Sequence, residues 1–303
     1  MGITLYFAKL NLVSEDIFKL YDNPEKRIAI SNALYKSISL DMPWKKESFY
    51  TDENGEQQSS IIEYSAHIVQ TEDDYIEGWI YKKSTLYYKT LDENTKTLVQ
   101  RSTENTEGNR FTLDFNHGFV GYNTSARFGY KEFIEAFVSL VNQGESHLGY
   151  SYRYNIALCT RGIDLNEIKK ELGSIGRIKD LTIHMQPPNP SEELLDELQQ
   201  RCDGVVKGFK DANVTEVEFF YSTKGSSGID LTSSLINEKI EDLQGLYSGL
   251  TVEESTRKGY VSVKATTTTG QKYASGDSKP IKRVIDTVES FFATCKDTFR
   301  ELR

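Results

Sequence analysis

Four histidines and three cysteines are the side chains of this sequence best suited to metal, acid–base or nucleophilic chemistry, and their spacing supports none of these locally. His67, His117, His147 and His184 each lie more than five residues from any other His or Cys, whereas a metal site needs several ligands converging on one point. His184 alternates with Ile183 in a strand-like run and reads as a solvent-facing or edge histidine, and His117 belongs to the turn sequence Asn116-His117-Gly118. Cys159, Cys202 and Cys295 are odd in number and far apart. They form neither a disulfide framework nor a CxxC pair, and read as buried free thiols in a reducing compartment. The glycines Gly162, Gly173 and Gly176 flank a helix instead of preceding one, and in Lys224-Gly225-Ser226-Ser227-Gly228 the lysine comes before the glycines. Neither stretch matches a phosphate loop or a dinucleotide fingerprint. Glu72-Asp73-Asp74, near Glu77, has the oxygen ligands of a divalent-ion site, but it reads as a solvated charged turn between two strands. The sequence therefore offers no catalytic residue, no metal ligand set and no cofactor motif, and an enzyme, such as a nuclease, would need a site assembled only by folding.

Charge is more informative than motif. The 303 residues carry a formal charge of −9, which excludes general attraction to nucleic acid or anionic membrane and demands a local basic patch for either. Such a patch exists. From Arg257 to Arg303 there are ten Lys or Arg against five Asp or Glu, a local +5, while the first 256 residues hold 26 basic and 40 acidic groups, −14. Lys264, Lys272, Lys279, Lys282 and Arg283 are interleaved with Thr266 to Thr269, Ser275 and Ser278. Cations with hydroxyls suit a phosphate backbone held without base reading. Arg127 and Lys131, beside Tyr122, Phe128 and Tyr130, are a second, smaller basic group. An ordinary solvated surface accounts for the same charges, and the acidic body is suited to a basic protein partner.

These residues must be positioned by an α+β chain. An apolar fraction of 38%, with 18 Tyr and 15 Phe, is enough for a sizeable core. The alternating stretch Ile3 to Leu12, interrupted by Lys9 and Asn11, reads as a strand and not as a signal peptide, and no apolar run approaches the roughly 18 residues of a membrane span. A cytoplasmic protein with no membrane attachment is expected. Asn23-Pro24 opens a helix that runs to about Leu40. Strands are expected over Ser60–Gln70, Tyr75–Lys83, Thr85–Thr90, Thr97–Arg101, Arg110–Phe115 and Gly118–Asn123, with Thr51–Gln58 and Glu104–Asn109 as polar loops. A helix follows from Gly129 to Asn142, and Gly144-Glu145-Ser146 reads as a linker. The chain thus divides into a β-rich N-terminal unit, residues 1–144, and an α+β C-terminal unit, residues 145–303. The second unit alternates strand and helix: strands Tyr150–Thr160, Ile178–Met185 and Thr215–Ser222, and helices Asp164–Leu172, from Ser191 onward, and Leu231–Leu246. It closes with a hairpin around Thr269-Gly270 and a long helix from Lys279 to Leu302.

From about residue 95 onward, this order of elements resembles the RexA family of phage-exclusion proteins and related bacterial phage-defence families. The resemblance is carried by Arg110-Phe111-Thr112-Leu113-Asp114-Phe115, Arg127-Phe128-Gly129-Tyr130, Ile178-Lys179-Asp180-Leu181-Thr182-Ile183 with Pro188-Asn189-Pro190, and the hairpin Tyr260–Lys264 to Tyr273–Ser275 running into the C-terminal helix. It implies a cytoplasmic, dimeric protein that binds DNA with little sequence preference in the conflict between mobile elements and their host, and the basic C-terminal surface makes a non-enzymatic binding protein the leading expectation. A phage counter-defence inhibitor, using the acidic body on a protein partner, is the alternative expectation.

Overall fold

The computed structural model describes residues 2–23, 25–51, 55–92, 94–189, 205–247 and 249–303. The fold is α+β, with every strand pairing antiparallel. The larger sheet grows from β1 (Ile3–Leu12), an apolar strand buried almost throughout from Leu5. On one edge β1 pairs with β6 (Phe119–Asn123), and beyond it follow β5 (Leu98–Asp114), β4 (Tyr75–Leu91), β3 (Gln57–Glu72) and β2 (Trp44–Thr51). Its other edge is shared by two strands from far along the chain. β12 (Lys282–Ile285) pairs with Ile3–Tyr6 and β7 (Tyr154–Leu158) with Ala8–Leu12. Strands from beyond residue 144 therefore complete the sheet of the N-terminal half.

Three expectations are corrected by these pairings. The polar stretch Glu104–Asn109 is strand, paired with Ile80–Thr85 in one β4–β5 ribbon. Its cross-strand partner satisfies the backbone; the side chains of Glu104 to Glu107 are exposed or half-buried beside the largely exposed outer half of β4, while Asn109 is buried and donates to the Phe128 carbonyl oxygen at 2.8 Å. Lys279–Ile285 is not helical: Lys282–Ile285 forms β12, a 3₁₀ turn occupies Val288–Ser290, and the last helix, α8, spans Phe291–Leu302. Ile281, Val284, Ile285 and Val288 fit helical spacing, but the free edge of β1 offers β-branched residues a ladder, and Val284 is left 69% exposed. Gly144-Glu145-Ser146 lies inside a helix, α3 (Tyr130–His147). Gly144 is there for close approach, since a Cβ on it would stand 2.4 Å from the Ser37 carbonyl oxygen of the neighbouring helix α2 (Lys26–Ile38).

Both faces of the large sheet are covered. On one, α3 lays Phe133, Ala136, Phe137 and Val141 against Phe111 and Tyr122, with the Phe133 and Tyr122 rings 4.1 Å apart. A short helix, α1 (Asp16–Asp22), and α2 join this layer. On the other, α8 buries Phe291, Cys295 and Phe299 against Leu5, Phe7, Phe119 and Cys159. The smaller sheet has the order β11 (Lys272–Ala274), β10 (Val261–Thr267), β8 (Ile178–Met185), β9 (Val217–Ser222). Its inner face packs on α4 (Leu165–Ser174), α5 (Val205–Asp211), α6 (Ser234–Glu241) and α7 (Val252–Arg257). Asp164 caps α4 by accepting from the Glu167 N–H at 2.8 Å, and Thr251 with Glu254 forms a capping box on α7. The helix expected from Ser191 lies outside the described residues. No helix among the described residues is long and apolar enough to cross a membrane.

Candidate nucleic-acid interface

The seven cations singled out in the sequence are distributed by strand alternation and by their carboxylate partners. Lys282 and Arg283 are adjacent on β12 and so face opposite sides of the sheet. Arg283, opposite Leu5, lies on the α8 side and is paired with Glu301 of α8. Lys282, opposite Tyr6, faces the α3 side, where its Nζ stands 5.0 Å from the centroid of the Tyr6 ring. Lys279 is paired with Glu167 of α4 at 2.6 Å, which holds its ammonium above the usual lysine range.

From Lys282 a continuous strip crosses to the small sheet. Tyr6 stacks on Tyr130 at 5.3 Å with the planes 11° apart, and Lys131 Nζ lies 5.9 Å from the Tyr130 ring. Lys131 also meets Asp277 at 2.6 Å, at the rim of a groove over the outer face of the small sheet. The registers of that sheet place Phe220, Thr182 and Lys264 in one cross-strand row, and Ser222, Asp180, Thr266 and Lys272 in the next. Phe220 is 64% exposed. Thus Lys282, Lys131, Lys264 and Lys272, drawn from four segments, share one surface with two half-buried tyrosines, an exposed phenylalanine and two threonine hydroxyls. Asp180 and Asp277 lie on the same surface, leaving it a net +2. Lys264, Lys272 and Lys282 form no ion pair with a described residue. Arg127 is exposed just before α3, four residues from Lys131, and its carbonyl accepts from Lys82 Nζ at 2.8 Å.

The contribution of Tyr6 and Phe220 is invisible in the sequence: each sits in an alternating strand, and only the β1–β12 and β8–β9 registers bring them to lysines and threonines. The remaining candidates resolve individually. His184 is buried at 8% exposure on the outer face of the small sheet and hydrogen-bonds Glu216, where a solvent-facing or edge position was expected. His117 Nδ1 lies 3.1 Å from both carboxylate oxygens of Asp114. Cys159 and Cys295 are buried, and burial pushes both thiols up to about 12, which makes them poor nucleophiles. Cys202 lies outside the described residues. Among the described residues no three His, Cys, Asp or Glu side chains converge as a metal site. Compared with known proteins, the chain matches no family model and no curated protein.

Proposed function

We propose that this protein is a non-enzymatic binder of DNA that holds phosphates without reading bases, acting in phage–host conflict as its resemblance to the RexA family implies. The observation that supports this reading is the strip from Lys282 through Tyr6, Tyr130 and Lys131 to Lys264 and Lys272. Lysines positioned for phosphates, with aromatic rings between them and Phe220 exposed at the far end, are the ingredients of sequence-tolerant nucleic-acid contact. The strip also answers the objection of the overall −9, because association with a polyanion depends on the local field of the contacting face and not on the sum over the chain. Lys279 and Arg283, matched by Glu167 and Glu301, contribute less than their charges suggest.

Fluorescence anisotropy with a labelled duplex, titrated across salt concentrations, tests the proposal. Binding at low salt should weaken with a log–log slope of about −0.9 for each phosphate contacted, so a footprint of Lys264, Lys272 and Lys282, with Lys131 matched by Asp277, gives a slope of about −2.7. Charge reversal at Lys264, Lys272 and Lys282 should remove binding, whereas Lys279→Glu should change it little. Absence of binding at low salt, or binding indifferent to the triple reversal, refutes the reading.

A further inference from the structure

The rings along the strip differ in what they leave for a ligand. Tyr6 stacks on both Tyr122 and Tyr130, at 6.0 and 5.3 Å, and Lys282 Nζ stands 5.0 Å from its centroid. Tyr130 has Lys131 beside it as well as Tyr6. These two rings are already covered by their neighbours. Phe220 is not. Strand β9 alternates, so that Phe219 and Tyr221 pack toward the core while Phe220 points outward, 64% exposed and without a ring or cation contact to a described residue. A single exposed apolar side chain is ordinary, but this one lines a groove of about 570 Å³ together with Thr182, Lys264 and Lys272.

Strand registers fix where charge stands relative to that ring. Phe220, Thr182 and Lys264 form one row across β9, β8 and β10, which puts about 10 Å between the Phe220 and Lys264 backbones. Lys272 follows in the next row, on β11. The carboxylates nearby are placed or engaged so as to leave this side open to an anion. Glu218 lies in the row on the far side of Phe220 from Lys272, the Ser222 hydroxyl donates to Asp180 at 2.7 Å, and Asp277 is paired with Lys131. A ligand in the groove therefore meets a flat apolar surface at one end and two lysines at the other. A nucleotide joins a planar base to an anionic phosphate in one unit. In a duplex the bases lie face to face and offer only their edges in the grooves, whereas every base of a single strand has a face that can settle on an aromatic ring. The lysines alone do not distinguish the two forms, but Phe220 does.

We propose that this groove takes a single strand of DNA, with one base stacked on Phe220 and the backbone phosphates along Lys264 and Lys272; the inference rests on the DNA-binding reading and specifies its ligand. Anisotropy of the full chain with labelled oligo(dT), and with a labelled duplex of equal length in the same buffer, tests it. Phe220→Ala should weaken single-strand binding about tenfold, a stacking loss of about 1.4 kcal/mol, and leave duplex affinity unchanged. Phe220→Trp, which keeps an aromatic face, should hold the wild-type single-strand affinity, while Phe220→Leu, apolar but without one, should match Phe220→Ala. The side chain is exposed, so none of these variants opens the core. Lys264→Ala should flatten the single-strand salt slope by about 0.7. Duplex binding without single-strand binding, a single-strand affinity indifferent to Phe220→Ala, or an equal loss on both ligands overturns the inference and leaves the DNA-binding reading standing. Absence of binding to either ligand at low salt refutes both.

Discussion

Lys9 gives the sharpest quantitative test of the reasoning about charge inside this fold. Its ammonium faces Lys258 and Arg27 as cations, Asp114 as an anion and Cys159 as a buried thiol, with His117 and Arg303 beyond, and burial lowers its pKa from 10.5 to about 8. A base whose pKa falls on folding binds its proton less tightly in the native state. Between pH 8 and 10.5 the unfolded chain therefore carries a proton that the folded chain lacks, and stability rises with pH in that window. Carrying the wild type from pH 7 to pH 9.5 recovers about 1.5 pKa units of this cost, or about 2 kcal/mol at 1.36 kcal/mol per unit. Lys9→Met removes the titrating group while keeping a long, flexible apolar stem of similar volume. The stability advantage of Lys9→Met over the wild type should accordingly shrink by about 2 kcal/mol across the same interval. Urea unfolding of both proteins in phosphate-free buffer at the two pH values measures it, and taking the difference between them cancels every other titrating group. A difference that stays constant with pH, with equal m values, would refute the claim that Lys9 is a buried cation lacking full compensation.

Three other perturbations have definite outcomes. Glu145 is wholly buried in α3 with neither carboxylate oxygen hydrogen-bonded, and burial holds its pKa up to about 7 against an ordinary value of 4.5. The folded state then binds the proton more tightly, stability falls as pH rises from 4.5 to 7, and Glu145→Gln should gain on the wild type by on the order of 3 kcal/mol between pH 4.5 and pH 8, read by denaturant unfolding. Gly144→Ala should cost more than about 2 kcal/mol, because its Cβ would meet the Ser37 backbone of α2 at 2.4 Å and two packed helices would have to part; thermal unfolding that matches the wild type would contradict that packing. On the DNA strip, Lys282→Ala should flatten the salt slope by about 0.9, whereas Arg283→Ala, one residue along but across the sheet and paired with Glu301, should barely alter it.

Several elements were legible because their signals are local. The turn at Asn116-His117-Gly118 follows from Gly118 adopting φ 69°, and the cap at Asp164 follows from a side chain answering an N–H three residues on. The stripe Phe133, Phe137, Leu140 and Val141 announces α3, yet its C-terminal end does not: Gly144 looks like a break until α2 is seen to need the space of a missing Cβ. The segment Ile281-Lys282-Arg283-Val284-Ile285 satisfies both helical and strand spacing, and the vacant edge of β1 decides between them. Cys159 and Cys295 do turn out buried, as composition suggested, while His184, expected to face solvent or lie at an edge, is covered and paired with Glu216.

By itself the sequence determined the α+β class, the amphipathic helices, the tight turns and the concentration of positive charge after residue 256, since each depends on residues near one another in the chain or on composition alone. Which of those charges face a ligand was decided only by tertiary structure. Lys279 and Lys131 meet carboxylates 112 and 146 residues away; Lys282 and Arg283 are sent to opposite faces by pairing with a strand at the other end of the chain; and Lys9, which in the sequence merely interrupts an apolar run, becomes a buried cation among others. An electrostatic site is defined by distance and desolvation, and neither is carried by residue order.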